Sequence, residues 1–122
     1  MSKKAFLFIA HGSRRQASNQ EVLAVVKQLQ HSSLQRQFER IEGAFLECVS
    51  PSVTEKLEQL VTEGMTEMVL FPYFLAAGTH VEIDLPQLVA EANRTYPNCR
   101  FLLLPHLGQQ PGLITLIEQS LN

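Results

Sequence analysis

Residues 68–86 read M-V-L-F-P-Y-F-L-A-A-G-T-H-V-E-I-D-L-P. Met68, Val69, Leu70 and Phe71 form a continuous apolar run, the pattern of a strand buried on both faces of a parallel sheet. The small residues Ala76, Ala77 and Gly78 then bend the chain. His80 follows at the start of a helical pattern that continues through Leu85, Leu88, Val89 and Ala92. The front of the chain repeats this plan. Ala5, Phe6, Leu7, Phe8, Ile9 and Ala10 make a wholly apolar run, and His11-Gly12-Ser13-Arg14 comes straight after it. Two strands that each end by presenting an imidazole predict a site built between them, since imidazole is both a common metal ligand and an acid–base group.

The intervening segments fit the same architecture. Ser18-x-x-Glu21 matches a capping box, and Val22, Val25, Val26 and Leu29 recur at helical spacing, which predicts a helix over residues 17–31 with His31 as a surface histidine at its end. Residues 40–47 read as a second strand through Ile41, Ala44, Phe45 and Leu46. Ser50-Pro51 predicts a helix with proline at its first position, an apolar stripe of Val53, Leu57, Leu60 and Val61, and Gly64 as its end. The third strand begins near Glu67, and the helix after it stops before Tyr96-Pro97-Asn98. Residues 101–104 are a fourth strand. Gln110-Pro111 opens a last helix carrying Leu113, Ile114, Leu116, Ile117 and Leu121. Four apolar strands alternating with four helices predict an α/β fold, a single domain over 1–122 with a four-stranded parallel sheet covered by helices on both faces. Right-handed crossovers give the strand order 2-1-3-4.

Composition narrows the function classes. At 122 residues the chain can build one core but not two. No apolar run approaches the roughly 20 residues that span a bilayer, so no membrane association is expected. The basic tip at Lys3 and Lys4 precedes an apolar run that ends at Ala10, short for an export signal. Cys48 and Cys99 lie far apart and form no C-x-x-C pair, which suits the cytoplasm and predicts two small buried side chains. Net charge is −2, which argues against nucleic acid as a partner. Charge is uneven, however: residues 1–40 hold seven Lys/Arg against two acidic residues, and the remainder three against ten. Arg36 and Arg40 read as solvated helix-face charges. Arg14 and Arg15 follow His11 directly and could meet an anionic ligand.

On the predicted sheet, His11, Glu47, His80 and His106 all belong to the carboxyl edge. Ligands of open α/β sheets bind in the crevice at that edge where the strand order reverses, here between the first and third strands. Each histidine taken alone is readily a hydrogen-bonded turn residue. Two at the switch point, with Glu47 on the neighbouring strand, make a plausible set for a divalent first-row metal, although their spacing is too loose to be a metal motif in itself. Gly12-Ser13 also reads as an anion-binding turn before a helix, but no G-x-x-x-x-G-K-[ST] or G-x-G-x-x-G accompanies it. A histidine followed by glycine after the first strand resembles the histidine phosphatases, which carry R-H-G there. Ala10 stands where their arginine would grip phosphate.

Taken together, H-G-S-R at 11–14 with Asn19 downstream, F-L-E at 45–47 followed by Ser50-Pro51-Ser52, the stretch P-Y-F-L-A-A-G-T-H-V-E-I-D-L-P at 72–86, and L-G at 107–108 resemble the short sirohydrochlorin chelatases of the ATP-independent class. The resemblance covers nearly the whole chain. It implies insertion of Co²⁺ or Fe²⁺ into sirohydrochlorin on the routes to cobalamin or sirohaem; Ni²⁺, which imidazole also accepts, is a further candidate on ligand chemistry. The metal would be a substrate, and no permanently bound cofactor is implied. By matching motifs, His11 and His80 would handle the metal and Glu47 would be the accompanying carboxylate. Ser13, Arg14 and Arg15 would meet the carboxylates of the tetrapyrrole. His106 departs from the family's pattern. The short form pairs as a homodimer. A carrier that binds metal or tetrapyrrole without turnover would use the same residues.

Overall fold

The computed structural model describes residues 3–76 and 78–121, with the backbone alone for His80. Strands β1 (Lys4–Ala10), β2 (Arg40–Phe45), β3 (Glu67–Pro72) and β4 (Arg100–Leu103) form one parallel sheet in the order β2-β1-β3-β4. Helices α1 (Gln16–Gln30), α2 (Val53–Thr62), α3 (Leu85–Thr95) and α4 (Gly112–Ser120) follow the strands in turn. The predicted fold class and strand order are those observed.

β1 is buried from Ala5 to Ala10, and its alternate residues feed the apolar layers on the two faces of the single domain's sheet. Ala5, Leu7 and Ile9 join Val53, Leu57 and Leu60 of α2 and Leu85, Val89 and Ala92 of α3 on one face. Phe6 and Phe8 face the other way, where Val22, Val25, Val26 and Leu29 of α1 and Phe71 of β3 close around them. The Phe8 and Phe71 rings stack at 5.8 Å.

Helix starts differ from those predicted. α1 begins at Gln16, two residues before Ser18, so Ser18 and Glu21 lie inside it and form no capping box. The earlier start is set by Asn19, whose side chain folds back onto the Ser13 backbone from the first turn of the helix. Pro51 is likewise not the first residue of α2. Ser52 is the N-cap: its hydroxyl accepts from the Glu55 N–H, and the Glu55 carboxylate accepts from the Ser52 N–H. That reciprocal pair satisfies two otherwise orphaned donors, a stronger stop than proline alone provides.

Two larger departures concern burial. Cys48 is exposed and Cys99 only half-buried, against the expectation of two buried thiols. Cys48 falls in a surface turn, and the Cys99 thiol donates weakly to the Met65 carbonyl at 3.6 Å. The last helix also stands clear of the sheet: Ile114 is 63% and Leu116 60% exposed, and no residue of α4 is buried. The apolar stripe of α4 therefore does not cover the sheet in this chain. No helix among the described residues is long and apolar enough to cross a membrane.

The Ser52–Glu55 cap gives a pH-dependent prediction. The Ser52 backbone N–H, then the Ser52 and Ser50 hydroxyls, hold the Glu55 carboxyl below its ordinary value. A depressed folded-state value means that the contribution is present above the unfolded carboxyl range, about 4.3, and is lost as pH falls through the lower folded value. Glu55→Gln should lower the urea midpoint at pH 7, and the gap to wild type should narrow as pH falls below about 4. A gap that stays constant down to pH 3 would dismiss the charged cap.

Candidate active site

The site begins where β1 ends. Parallel pairing runs past the last strand residues: the Leu46 N–H donates to the Ala10 carbonyl and the Glu47 N–H to the His11 carbonyl, both at 3.0 Å. On the other side of β1, the Tyr73 N–H donates to the Ile9 carbonyl at 2.7 Å. The carboxyl end of β1 is thus clamped between the exits of β2 and β3, at the point where the strand order reverses.

Gly12 permits the approach on the β2 side. Its φ is +92°, and a Cβ there would lie 1.9 Å from the Glu47 carbonyl oxygen, so no other residue fits without moving the backbone. Asn19, 7% exposed, fixes the far side of the turn. Its Oδ1 accepts from the Ser13 N–H at 2.9 Å and its Nδ2 donates to the Ser13 carbonyl at 2.7 Å. The Ser13 hydroxyl accepts from the Arg15 N–H at 3.0 Å, which leaves its own proton available to a ligand. Arg14 and Arg15 are both exposed.

This backbone brings His11 and Glu47 together: His11 Nε2 and Glu47 Oε1 are 2.6 Å apart, with each side chain about half exposed, 49% and 48%. The Glu47 side chain is aimed by a γ-turn. Cys48 has φ +71°, and the Val49 N–H bonds back to the Glu47 carbonyl at 2.8 Å. Such a turn is sparsely populated and strained. The Phe74 ring, half-buried against the main core, stands edge-on to the His11 ring at 6.2 Å. His106 is buried, 6% exposed, just beyond β4.

His80 opens a π-turn, His80–Asp84, that runs into α3. Its backbone lies at the predicted place, whereas its side chain lies outside the described residues. Among the described residues, no group of three His, Cys, Asp or Glu side chains gathers as a metal site. His11 and Glu47 come together, and Ser13, Arg14 and Arg15 border them in sequence. Asn19 and the Cys48 turn supply positions to which the sequence reading assigned no role. Asn19 enters the sequence reading only as part of the family resemblance, and its structural signal is that of a helix-poor residue in the first turn of a helix. The Cys48 turn carries none.

A hydrogen-bonded imidazole–carboxylate pair can exchange a proton or hold a cation. A metal bound to both atoms at about 2.1 Å with a right angle between them needs the nitrogen and oxygen about 3 Å apart. That requires only a small opening of the present pair.

The family model for CbiX matches residues 5–122. The chain belongs to the CbiX family. Among its CbiX relatives, the chloroplastic sirohydrochlorin ferrochelatase of Arabidopsis thaliana is 27% identical over 116 residues, which is 95% of this chain and 50% of the plant protein. The sirohydrochlorin chelatase SirB from Bacillus subtilis subspecies spizizenii, solved in complex with cobalt, superposes with a TM-score of 0.79 at 26% identity, covering 98% of this chain and 50% of SirB. A CbiX protein from Marinobacter aquaeolei VT8 has the same fold, with a TM-score of 0.82 at 21% identity over 97% of this chain and 93% of that one. The chain spans about half the length of the plant relative and of SirB.

The loop geometry predicts two stability effects. Asn19→Ala leaves the Ser13 N–H and carbonyl without partners and should cost about 1–3 kcal/mol. Gly12→Ala should also separate His11 from Glu47, which the imidazole nitrogen shifts in a ¹⁵N spectrum would report. Unchanged urea midpoints together with an unchanged imidazole signal would remove this role from the turn.

Proposed function

We propose that this chain is an ATP-independent sirohydrochlorin chelatase. It inserts a divalent metal, Co²⁺ or Fe²⁺ with Ni²⁺ a third candidate, into sirohydrochlorin or a related anionic tetrapyrrole. Residues 1–122 act as one chelatase domain that pairs as a homodimer in the cytoplasm, with the metal as substrate and no permanently bound cofactor. The observation that carries this reading is the half-exposed His11–Glu47 pair, 2.6 Å apart at the carboxyl edge of the sheet, where β1 borders the switch point, in a CbiX family member.

Metal insertion needs an ion held near the ring and acceptors for two pyrrole N–H protons. Glu47 is the carboxylate that takes a proton or holds the cation, and the His11 imidazole shares both tasks. Their exposure suits a substrate as broad as a tetrapyrrole, which cannot enter a closed cavity in a domain of this size. His80 acts as the second metal-handling imidazole. Arg14 and Arg15 pair with ring carboxylates, and the free Ser13 proton donates to one. Leu75, 69% exposed, offers apolar contact to the ring face beside Phe74 and Leu107.

The test is an anaerobic assay of purified protein with sirohydrochlorin and Co²⁺, Fe²⁺ or Ni²⁺ in turn, followed by absorbance. His11→Ala and His80→Ala should each nearly abolish insertion while circular dichroism stays unchanged. Near-wild-type turnover in either folded variant would defeat the two-histidine mechanism, and tetrapyrrole binding without turnover by the wild type would identify a carrier instead.

Glutamine at position 47 keeps the shape of the side chain while removing its charge and basicity. Glu47→Gln should therefore lower turnover by roughly 10²–10⁴-fold, the range for loss of a general acid–base group. Cys48→Ser should remain active. The opposite ranking would give the metal to the thiol.

A further inference from the structure

The half-exposed imidazole of His11 meets the Phe74 ring edge-on, with the centroids 6.2 Å apart and the planes at 78°. Aromatic pairs prefer such a crossing. Here it gives an exposed side chain a wall on its core side, because Phe74 is half-buried and packs against the main core. The hydrogen bond to Glu47 fixes one atom of the imidazole at 2.6 Å. A packed neighbour does something else: it limits which way the ring turns about its side-chain torsions.

Phe74 is a firm wall only if its own backbone is fixed, and both polar groups of that backbone are taken. Its N–H turns back onto the Pro72 carbonyl at 3.0 Å, and its carbonyl accepts from the Gly108 N–H at 2.9 Å. The second bond extends the sheet. β3 and β4 pair with Leu70 opposite Leu103, and the Leu104 N–H donates to the Leu70 carbonyl at 2.9 Å. Four residues further along both chains, the Gly108 N–H repeats that bond on Phe74. The loop after β3 is thus tied to the segment after β4 in the register of the strands themselves.

Space makes this junction a place for glycine. A Cβ at 108 would lie 1.7 Å from the Leu75 carbonyl oxygen and 2.7 Å from its carbon. Both are backbone atoms, which do not yield as the tip of a long side chain does, so one of the two segments would have to move. The turn Leu107–Gln109 is braced. The Gln109 N–H bonds to the His106 carbonyl at 2.9 Å, the Gln110 N–H to the Leu107 carbonyl at 3.0 Å, and the Gln110 side-chain amide to the Pro105 carbonyl at 2.7 Å. The opposing loop is the weaker side, with Leu75 and Ala76 exposed. A methyl group at 108 therefore displaces Leu75, and with it the adjoining Phe74.

We propose that Gly108 is a positioning residue for His11, acting through Phe74. It seats the loop after β3 so that the Phe74 ring bears on the imidazole that faces Glu47. The inference rests on the reading of His11 as a metal- and proton-handling group, and its structural half is read with no substrate present.

The experiment compares Gly108→Ala, Phe74→Leu, the double variant and Phe74→Tyr with the wild type, each checked for folding by circular dichroism. The imidazole nitrogen signals of His11 are recorded without metal or tetrapyrrole, and kcat and KM are measured with sirohydrochlorin and Co²⁺. Leucine keeps an apolar side chain against the core and removes the ring, whereas tyrosine keeps the ring. Gly108→Ala and Phe74→Leu should each move the His11 signals. The double variant should match Phe74→Leu alone, because two changes on one path do not add. Each should lower kcat by about 10–100-fold, the range for groups that orient a metal-handling side chain, with KM for sirohydrochlorin unchanged. Phe74→Tyr should behave as the wild type. Unmoved His11 signals in folded Gly108→Ala, or additive changes in the double variant, overturn the proposal. So does a rise in KM at constant kcat, since Phe74 would then serve only as a surface for the tetrapyrrole. If Gly108→Ala does not fold, Phe74→Leu against Phe74→Tyr decides by the same signals and the same kinetic split. A wild type that inserts no metal defeats the chelatase reading, and the nitrogen signals then decide by themselves whether Gly108 and Phe74 place the imidazole.

Discussion

The register of β1 against its two neighbours is the constraint from which the remaining geometry follows. β1 pairs with β2 from Ala5 to Ala10 and with β3 from Lys4 to Ile9, so its end is reached from both sides within one residue. The carbonyls of Ile9, Ala10 and His11 are all taken by N–H groups from the adjoining loops. His11 is consequently the first residue after β1 whose side chain is directed by a turn rather than by the sheet. A shift of one residue in either ladder would reverse side-chain faces along the strand. It would break the alternation that sends Leu7 and Ile9 to one apolar layer and Phe6 and Phe8 to the other.

The apolar runs made the strands legible, and crossover handedness then gave their order and the switch point, although β3 and β4 turn out to be buried on one face only. The near-coincidence of His11 and Glu47 was legible for the same reason: each follows the last apolar residues of adjacent parallel strands. Helix starts were less so. Ser18-x-x-Glu21 has the letters of a capping box, yet Asn19 supplies two hydrogen bonds to Ser13 and moves the start forward. At α2 the true box was Ser52 with Glu55, one position past the proline that drew attention. The positive φ at Cys48 had no sequence signal, since cysteine is not a residue that advertises a left-handed turn. The apolar residues of α4 predict a buried face, yet none of them is buried, because periodicity reports that a face is apolar and not what it packs against.

Strain at the site has a local explanation. The Cys48 γ-turn is one of two positions where the β2 loop adopts a costly shape or demands one. The other is Gly12, where the opposing loop accepts a glycine to let the Glu47 carbonyl in. Both serve the same approach of loop to loop. Without it, the carboxylate and the imidazole would sit on neighbouring strands at sheet spacing, about 4.8 Å between backbones, with no fixed direction toward each other. Two backbone adjustments thus turn a topological neighbourhood into a hydrogen-bonded pair.

The loop after β3 belongs to two surfaces at once. Its Phe74 ring stands against His11, its Phe74 carbonyl accepts from the Gly108 N–H, and its Leu75 carbonyl lies against Gly108, the pivot from which α4 departs. A chain of direct contacts therefore runs from the imidazole, through one aromatic ring and one hydrogen bond, to the segment that aims the uncovered helix. The direction of Leu107–Gln109 is therefore tied to the backbone of Phe74 and Leu75. In a domain this small one loop touches both the imidazole and the turn from which the last helix departs, so the two cannot be adjusted independently.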